Sequence, residues 1–370
     1  MKSYNSSGRI VFIDLMRAFA VLMMVQGHTI NALLADEYRS FDSLFYTVWH
    51  SLRGFTAPIF MFSSGTVFTY LLMNKRIPFN QNPRVLKGIK RFILLVSLGY
   101  FLRFPTGNIF NLSSVTQKQW EIAIVVDALH LIGFGILTII ILEFISEKIK
   151  LNNYYIFSSF AILSFLLAPI IVSINWDNYL PPVLSAYLFY KHNSIFPFFP
   201  WLGFVVAGGV FGNYLAKNKD IFVELKFVYK LALTGLLFVI LSIIVHYIRV
   251  YLFQPVNFWS DQSSISLYRL GVVLILNSVM AYIAIKAIKV PDFFRIAGKH
   301  TLLIYVLHLI IIYGSFWVSG LLKLFGNTLT DIQSIFIAAL MIVSMVIVAV
   351  IVEQSSPFIK RMFSRQTETI

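Results

Sequence analysis

Residues 9–34 read RIVFIDLMRAFAVLMMVQGHTINALL. Crossing a bilayer takes about 20 apolar residues, and this stretch is long enough. It nevertheless carries Asp14, Arg17, His28 and Asn31. At helical periodicity these four gather with Met24 on one side, and Val, Leu, Ile, Phe, Met and Ala take the rest. Arg17 and His28 are about 16 Å apart along such a helix. An ionisable group at the centre of a membrane helix costs about 2.5–3.5 kcal/mol on insertion scales, so it normally faces a protein interior or a wet cavity. Two readings follow. In one, Asp14 and Arg17 pair near the cytoplasmic surface and His28 sits at the far interface. In the other, the stripe lines a polar cleft with a cation at its inner end and an imidazole deep inside.

The rest of the chain belongs to a membrane protein too. Of 370 residues, 58% are hydrophobic and 12% charged, and the mean hydropathy of +0.79 lies outside the range of soluble domains. The expected fold is all-α and polytopic, with about ten transmembrane helices: 10–34, 54–73, 86–104, 122–145, 154–174, 197–216, 228–252, 266–288, 301–323 and 333–353. A short helical piece, Leu44 to Leu52, precedes the second. With the N-terminus cytoplasmic, 21 Lys and Arg residues fall in inner segments and 8 in outer ones. That asymmetry supports ten spans with both termini in the cytoplasm. The expected location is the cytoplasmic (inner) membrane, as a multi-pass chain. Asp14 and Arg17 interrupt the first apolar stretch, which argues for a retained span over a signal peptide. Residues 1–370 read as one transmembrane domain, with 354–370 as a short cytoplasmic tail.

The net charge of +14 does not imply nucleic-acid binding, because the cations sit in alternate loops and no nucleic-acid module is present. Absence of cysteine excludes disulfides and thiolate metal sites. No HExxH, P-loop, GxSxG or CxxC motif occurs, and no metal is expected. The loop NKRIPFNQNPRVLKGIKR (74–91) holds six cations and no acid. It suits topology control and anionic lipid, or a docking surface for a cytoplasmic polyanion. The outer loops Phe104–Glu121 and Trp176–Phe199 mix aromatic and polar residues, fitting an interfacial belt or the flat faces of sugars.

Several spans carry polar groups at helical spacing: Asp127 with His130, Tyr305 with His308, and His246 with Arg249. Arg269 and Asn277 lie in the eighth span. In APIFMFSSG, Pro58 predicts a kink, and Ser63, Ser64 and Gly65 predict close approach to a neighbour. Packing alone accounts for each group as well, since polar residues often join membrane helices. A carboxylate beside an imidazole, as at Asp127 and His130, also orients it or raises its basicity.

The ordered set of segments resembles the transmembrane acyltransferase superfamily, nearest to the bacterial branch of the heparan-alpha-glucosaminide N-acetyltransferase catalytic-domain family. Enzymes that O-acetylate surface polysaccharides are relatives. The resemblance rests on Arg17-x10-His28 after Arg9-x4-Asp14, on GFTAPIFMFSSG (54–65) and VLKGIKRFILLVSLGYFLR (85–103), and on VDALHLIGFGIL (126–137), FPFFPWLGFVVAGGVFG (196–212) and GKHTLLIYVLHLII (298–311). This chain has Ala18 where relatives usually place Gly, and His130 where Gln is common.

The resemblance implies acyl transfer from cytoplasmic acetyl-CoA to a glycan or glycolipid acceptor, by a protein embedded among membrane lipids. It makes His28 the general base or acyl carrier, with Asp127, His130 and His308 as further catalytic candidates. Arg17, Lys87, Lys90 and Arg91 become donor-binding candidates, and Asn31, Ser64 and Tyr305 acceptor-binding ones. A transporter or flippase of a polar lipid-linked substrate is the alternative, and a scaffold for envelope partners a weaker third. The chain shows no duplicated halves of the kind many transporters have. Oligomeric state is left open.

Overall fold

The computed structural model describes residues 10–75, 77–107, 112–218, 220–253, 255–287 and 290–367, with side chains to 355. Lys2, Arg9, Arg76, Lys219 and Lys289 lie outside the described residues, as do residues 108–111 and the side chains of Lys360, Arg361 and Arg365.

The described residues are helical, with no strand beyond two isolated bridges. In order the helices are α1 (Val11–Leu33), α2 (Leu44–Arg53), α3 (Thr56–Met73), α4 (Pro83–Leu102), α5 (Gln117–Ala123), α6 (Ala128–Ile149), α7 (Asn153–Leu166) and α8 (Ala168–Ser173). There follow α9 (Pro182–Ser185), α10 (Phe198–Lys217), α11 (Leu225–Leu252), α12 (Gln262–Lys286), α13 (Asp292–Lys299), α14 (Thr301–Tyr313), α15 (Leu321–Phe325) and α16 (Asp331–Thr367). Side-chain caps fix several starts. Asn82 accepts from Arg84 N–H ahead of α4, whose first residue is Pro83, and Asn152 accepts from Tyr154 N–H ahead of α7.

Among the described residues, seven helices are long and apolar enough to cross a membrane: Val11–Leu33, Leu44–Met73, Ala128–Ile149, Lys191–Lys217, Leu225–Leu252, Gln262–Lys286 and Asp331–Ser355. The pair α13 and α14 adds an eighth if counted as one span, bent by 78°. Three of the ten expected spans differ from plain long helices. The span over 86–104 is α4, which carries Lys87, Lys90 and Arg91 in its apolar window. The span over 154–174 divides into α7 and α8 just before Pro169, which cannot supply an N–H to continue the helix. The ninth, 301–323, ends as a helix at Tyr313. Large apolar side chains stay exposed along α16 at Ile332, Phe336, Leu340, Val343, Ile347 and Ile351, a stripe at helical spacing that suits lipid. The protein is a multi-pass, all-α membrane protein.

The chain divides into two compact units, residues 1–56 with 286–370, and residues 57–285. In the first, α1 packs against α2, α13, α14, α15 and α16. Phe12, Met16, Ala18, Ala20, Val21, Val25 and Leu33 are sealed almost completely. Ile30, Leu34, Trp49 and Ala338 close one end, with Tyr38 and Tyr46 against them. Gly298 lets α13 lie on the backbone of α1, since a Cβ there would stand 2.3 Å from the Asp14 carbonyl oxygen.

In the second unit α10 is central, packed against α6, α7 and α8. The close approach expected at Gly65 is present: a Cβ on it would lie 1.9 Å from the Val205 carbonyl oxygen of α10. The expected kink at Pro58 is absent, because Pro58 occupies the first turn of α3, where its missing N–H breaks no helical bond. The chain turns earlier, at Gly54 and Phe55.

Candidate active site

The first unit gathers its polar groups where α14 faces α1. Thr301, Tyr305 and His308 recur at i, i+4 and i+7, so α14 presents them on one buried face. His28 of α1 meets that face. Its ring centroid is 5.4 Å from that of His308, and its Nδ1 lies 3.0 Å from the Tyr313 hydroxyl. Tyr305 stands edge-on to His308 at 5.8 Å.

His308 is completely buried, and its Nδ1 is 2.7 Å from the Ile304 carbonyl oxygen. A carbonyl only accepts, so Nδ1 carries the proton and a neutral His308 presents a bare Nε2. That nitrogen is buried without a hydrogen-bond partner. An imidazole with one nitrogen fixed by backbone and the other left as a lone pair offers a hydrogen-bond acceptor of fixed direction.

Lower on α1, Arg17 Nη2 donates to Thr301 Oγ1 at 2.9 Å, and Nη1 is 4.0 Å from Asp14 Oδ1. The ion pair expected from the i,i+3 spacing is thus long, and the closer bond fixes the guanidinium to α14. Higher up, Asn31 Oδ1 accepts from Arg53 Nη1, and Arg53 also lies over the Trp49 ring at 5.2 Å. Trp49 in turn donates to Gln26 Oε1 at 2.9 Å. The stripe on α1 is therefore held from α14 and from α2.

Asp127 and His130 belong to the other unit. Asp127 is not inside the fourth span; it is the residue that caps α6, accepting from Leu129 N–H at 2.9 Å. Its Oδ1 also lies 2.9 Å from His130 Nδ1, and its Oδ2 3.5 Å from Arg103 Nε. His130 sits above Gly99 and 4.3 Å from the Tyr100 ring, while the Tyr100 and Tyr187 hydroxyls lie 2.7 Å apart. The carboxylate thus serves first as a helix cap. Asp127→Ala is expected to lower stability by about 0.5–2 kcal/mol from the cap alone. Asp127→Asn keeps the capping oxygen and should retain most of it. Thermal unfolding of the two variants checks this; equal losses would contradict the cap.

Ser63 and Ser64 donate to the Phe60 carbonyl at 3.1 and 2.8 Å, so both hydroxyl protons are committed to backbone. Lys87, Lys90 and Arg91 lie on the exposed face of α4, while Gly88, Leu95 and Gly99 face inward. His246 and Arg249 both converge on buried Asp261, at 3.2 and 2.9 Å, and Ser264 donates to it at 2.6 Å. Arg269 lies over the Trp201 ring at 5.6 Å, and Asn277 donates to the Val273 carbonyl.

The segment 176–199 is tied down by Asp177, which bonds Lys191, His192 and Ser185 at 2.7, 2.8 and 2.6 Å. Those three contacts, His192 foremost, hold the Asp177 carboxyl below the usual carboxylate range. Much of the segment's aromatic content points inward: Tyr187 packs with Phe134 and Phe198. Among the described residues no group of three or more His, Asp or Glu side chains is arranged to hold a metal.

The sequence reading missed Thr301, Tyr313, Arg53, Arg103, Tyr100 and Tyr187. Thr301 had a usable signal in its spacing to Tyr305 and His308. Tyr313 and Arg53 had none, because the residues they meet on α1 are far away in the chain.

The family described as heparan-alpha-glucosaminide N-acetyltransferase, catalytic, matches residues 9–255. The chain belongs to that family. The match begins with α1 and its Arg17 to His28 stripe, and it runs through α11. It places the chain among membrane acetyltransferases, a class in which an acetyl donor and an acceptor must meet. No curated protein matches the chain.

Proposed function

We propose that this acetyltransferase moves an acetyl group from cytoplasmic acetyl-CoA to a hydroxyl or amine of a cell-envelope sugar or glycolipid, in the cytoplasmic membrane. The observation that carries the reading is the imidazole pair of His28 and His308, with the Tyr313 hydroxyl 3.0 Å from His28, on the same helix as Arg17.

The residues fit the donor's chemistry. Arg17 supplies a planar guanidinium suited to phosphate oxygens, already oriented by Thr301. Lys87, Lys90 and Arg91 add exposed positive charge that attracts a polyanion. His28 takes the proton of the acceptor hydroxyl or amine as that atom bonds to the acetyl carbon. The carbon–sulfur bond breaks, and the thiolate leaves with the proton His28 passes on. In the two-step variant a His28 ring nitrogen bonds the acetyl carbon as the carbon–sulfur bond breaks and the thiolate leaves; the acceptor then bonds that carbon as the carbon–nitrogen bond to His28 breaks, and its proton goes to the thiolate. His308 and Tyr313 position His28. Asn31 and Tyr305 serve the acceptor side; Ser64 can do so only through its oxygen. Asp127 and His130 are kept as positioning residues of their own unit.

The proposed layout is one transmembrane domain over 1–370, with about ten spans, both termini cytoplasmic and a tail from 354. Incubating membranes with radiolabelled acetyl-CoA tests the reading: label should appear in glycan, or transiently on the protein. Flux of a polar lipid-linked substrate without any label would instead support a transporter. Arg17→Ala is expected to raise the Michaelis constant for acetyl-CoA about tenfold, with less effect on the maximal rate, because a charge-assisted bond contributes about 1.5–3 kcal/mol. An unchanged donor constant would remove Arg17 from phosphate binding.

A further inference from the structure

The second unit also holds a cavity of about 400 Å³, apart from the Asp127 and His130 cluster, where the end of α3 and the segment after it meet α6, α7 and α10. Its volume falls at the small end of ligand pockets, which run from about 300 to 1,000 Å³. Met73 and Phe79 give it an apolar side. The opposite side is polar: Glu143 and Glu147 from α6, Asn153 from α7, and Asn213 and Lys217 from α10.

The bonds among these groups determine what is left over. Lys217 Nζ lies 3.0 Å from an Asn153 side-chain atom, and an ammonium only donates, so that atom is the Asn153 oxygen. Asn153 Nδ2 then donates to Glu143 Oε2 at 3.2 Å. The Asn213 atom 2.8 Å from the same Asn153 oxygen is accordingly its Nδ2. That leaves Asn213 Oδ1, on a residue with no exposed surface, as an acceptor without a donor. Glu147 Oε2 accepts from Phe79 N–H at 2.9 Å. One oxygen on each glutamate is also without a donor among the described residues. Among the described residues the cavity wall thus presents one free oxygen on each glutamate and two carboxylates against one ammonium, with the unmatched Asn213 oxygen sealed behind it.

Glu143 and Glu147 stand one turn apart on α6, a like-charge spacing that disfavours an isolated helix. A ligand cation between them reverses that penalty. We propose that this cavity binds a small protonated amine. Its –NH3⁺ supplies three donors, enough for the free oxygens of the two glutamates, and its hydrocarbon stem lies against Met73 and Phe79. An anion meets two carboxylates there. A neutral polyol answers the acceptors but not the charge. The proposal does not depend on the acetyl-transfer reading.

The test uses the full chain purified in detergent, with 1,4-diaminobutane as probe and 1,4-butanediol, inorganic phosphate and sodium chloride as comparisons. The diamine should raise the unfolding temperature saturably, and the three comparisons should not at equal concentration. Glu143→Gln retains the bond from Asn153 and should weaken diamine binding at least tenfold by calorimetry. Glu147→Gln, at the exposed rim, should weaken it about threefold or more, and carries the test if the Glu143 variant does not fold. Diol or phosphate stabilisation equal to that of the diamine, or wild-type diamine affinity in both glutamine variants, would overturn the assignment.

Discussion

His28→Ala is expected to reduce acetyl transfer by about 10²–10⁴, the range that a positioned general base contributes. The unfolding temperature should change little, because the imidazole is half-buried and the Tyr313 side chain it meets is exposed. Both kinetic roles of His28 predict the loss, and two measurements separate them. Acid-quenched wild-type protein with labelled acetyl-CoA should carry covalent label if His28 is acetylated; direct transfer predicts none. Added imidazole should restore part of the rate to His28→Ala if the missing group is a base. Tyr313→Phe retains the ring and removes the hydroxyl, and its expected loss is about tenfold. A His28→Ala protein working at the wild-type rate would end the mechanism, whatever the family.

How much of the fold and site is readable in the chain depends on how local each determinant is. The α1 stripe is legible because a helix fixes the angular positions of Asp14, Arg17, His28 and Asn31 by spacing alone. The same holds for Tyr305 and His308, which the structure places on one face of α14. Gly65 is legible as a close approach, since a residue without a side chain among bulky apolar neighbours leaves room for another backbone.

What failed to read was decided by competition between local alternatives. Asp127 has the spacing of a partner for His130 and does meet its Nδ1 at 2.9 Å, but its second task is not in that spacing: it sits just ahead of α6 and caps the backbone N–H groups of Leu129 and His130. Ser64 of APIFMFSSG offers a hydroxyl to an acceptor by sequence, but Ser and Thr in apolar helices bond back to the preceding turn, as Ser63 and Ser64 do to the Phe60 carbonyl. The 78° bend between α13 and α14 left no plain mark, because neither Gly298 nor His300 demands it in isolation. Contacts such as those of Arg53 and Tyr313 follow only from packing.

The second large effect concerns shape, not chemistry. Gly208→Ala is expected to destabilise the second unit by several degrees of unfolding temperature. A Cβ at Gly208 would lie 2.0 Å from the Phe62 carbonyl oxygen of α3, and one at Gly212 2.3 Å from that of Thr66. Gly208 and Gly212 are one turn apart, so α10 lays a smooth strip against Phe62, Gly65 and Thr66, as small residues do where membrane helices touch. Replacing Gly by Ala in a helix interior favours the helix by up to about 1 kcal/mol. Overpacking costs about 1–3 kcal/mol or more, and here the obstacle is backbone, which cannot rotate away as a side chain would. The clash therefore outweighs the propensity. Gly133→Ala is the milder comparison: its Cβ would lie 3.1 Å from Val96 Cγ2, a methyl group able to shift, and 3.3 Å from the Phe92 carbonyl oxygen, far looser than the 2.0 Å at Gly208. That variant should lose clearly less unfolding temperature than Gly208→Ala. If Gly208→Ala is as stable as Gly133→Ala, then α3 and α10 are not in backbone contact, and the packing of this unit is wrong at its centre.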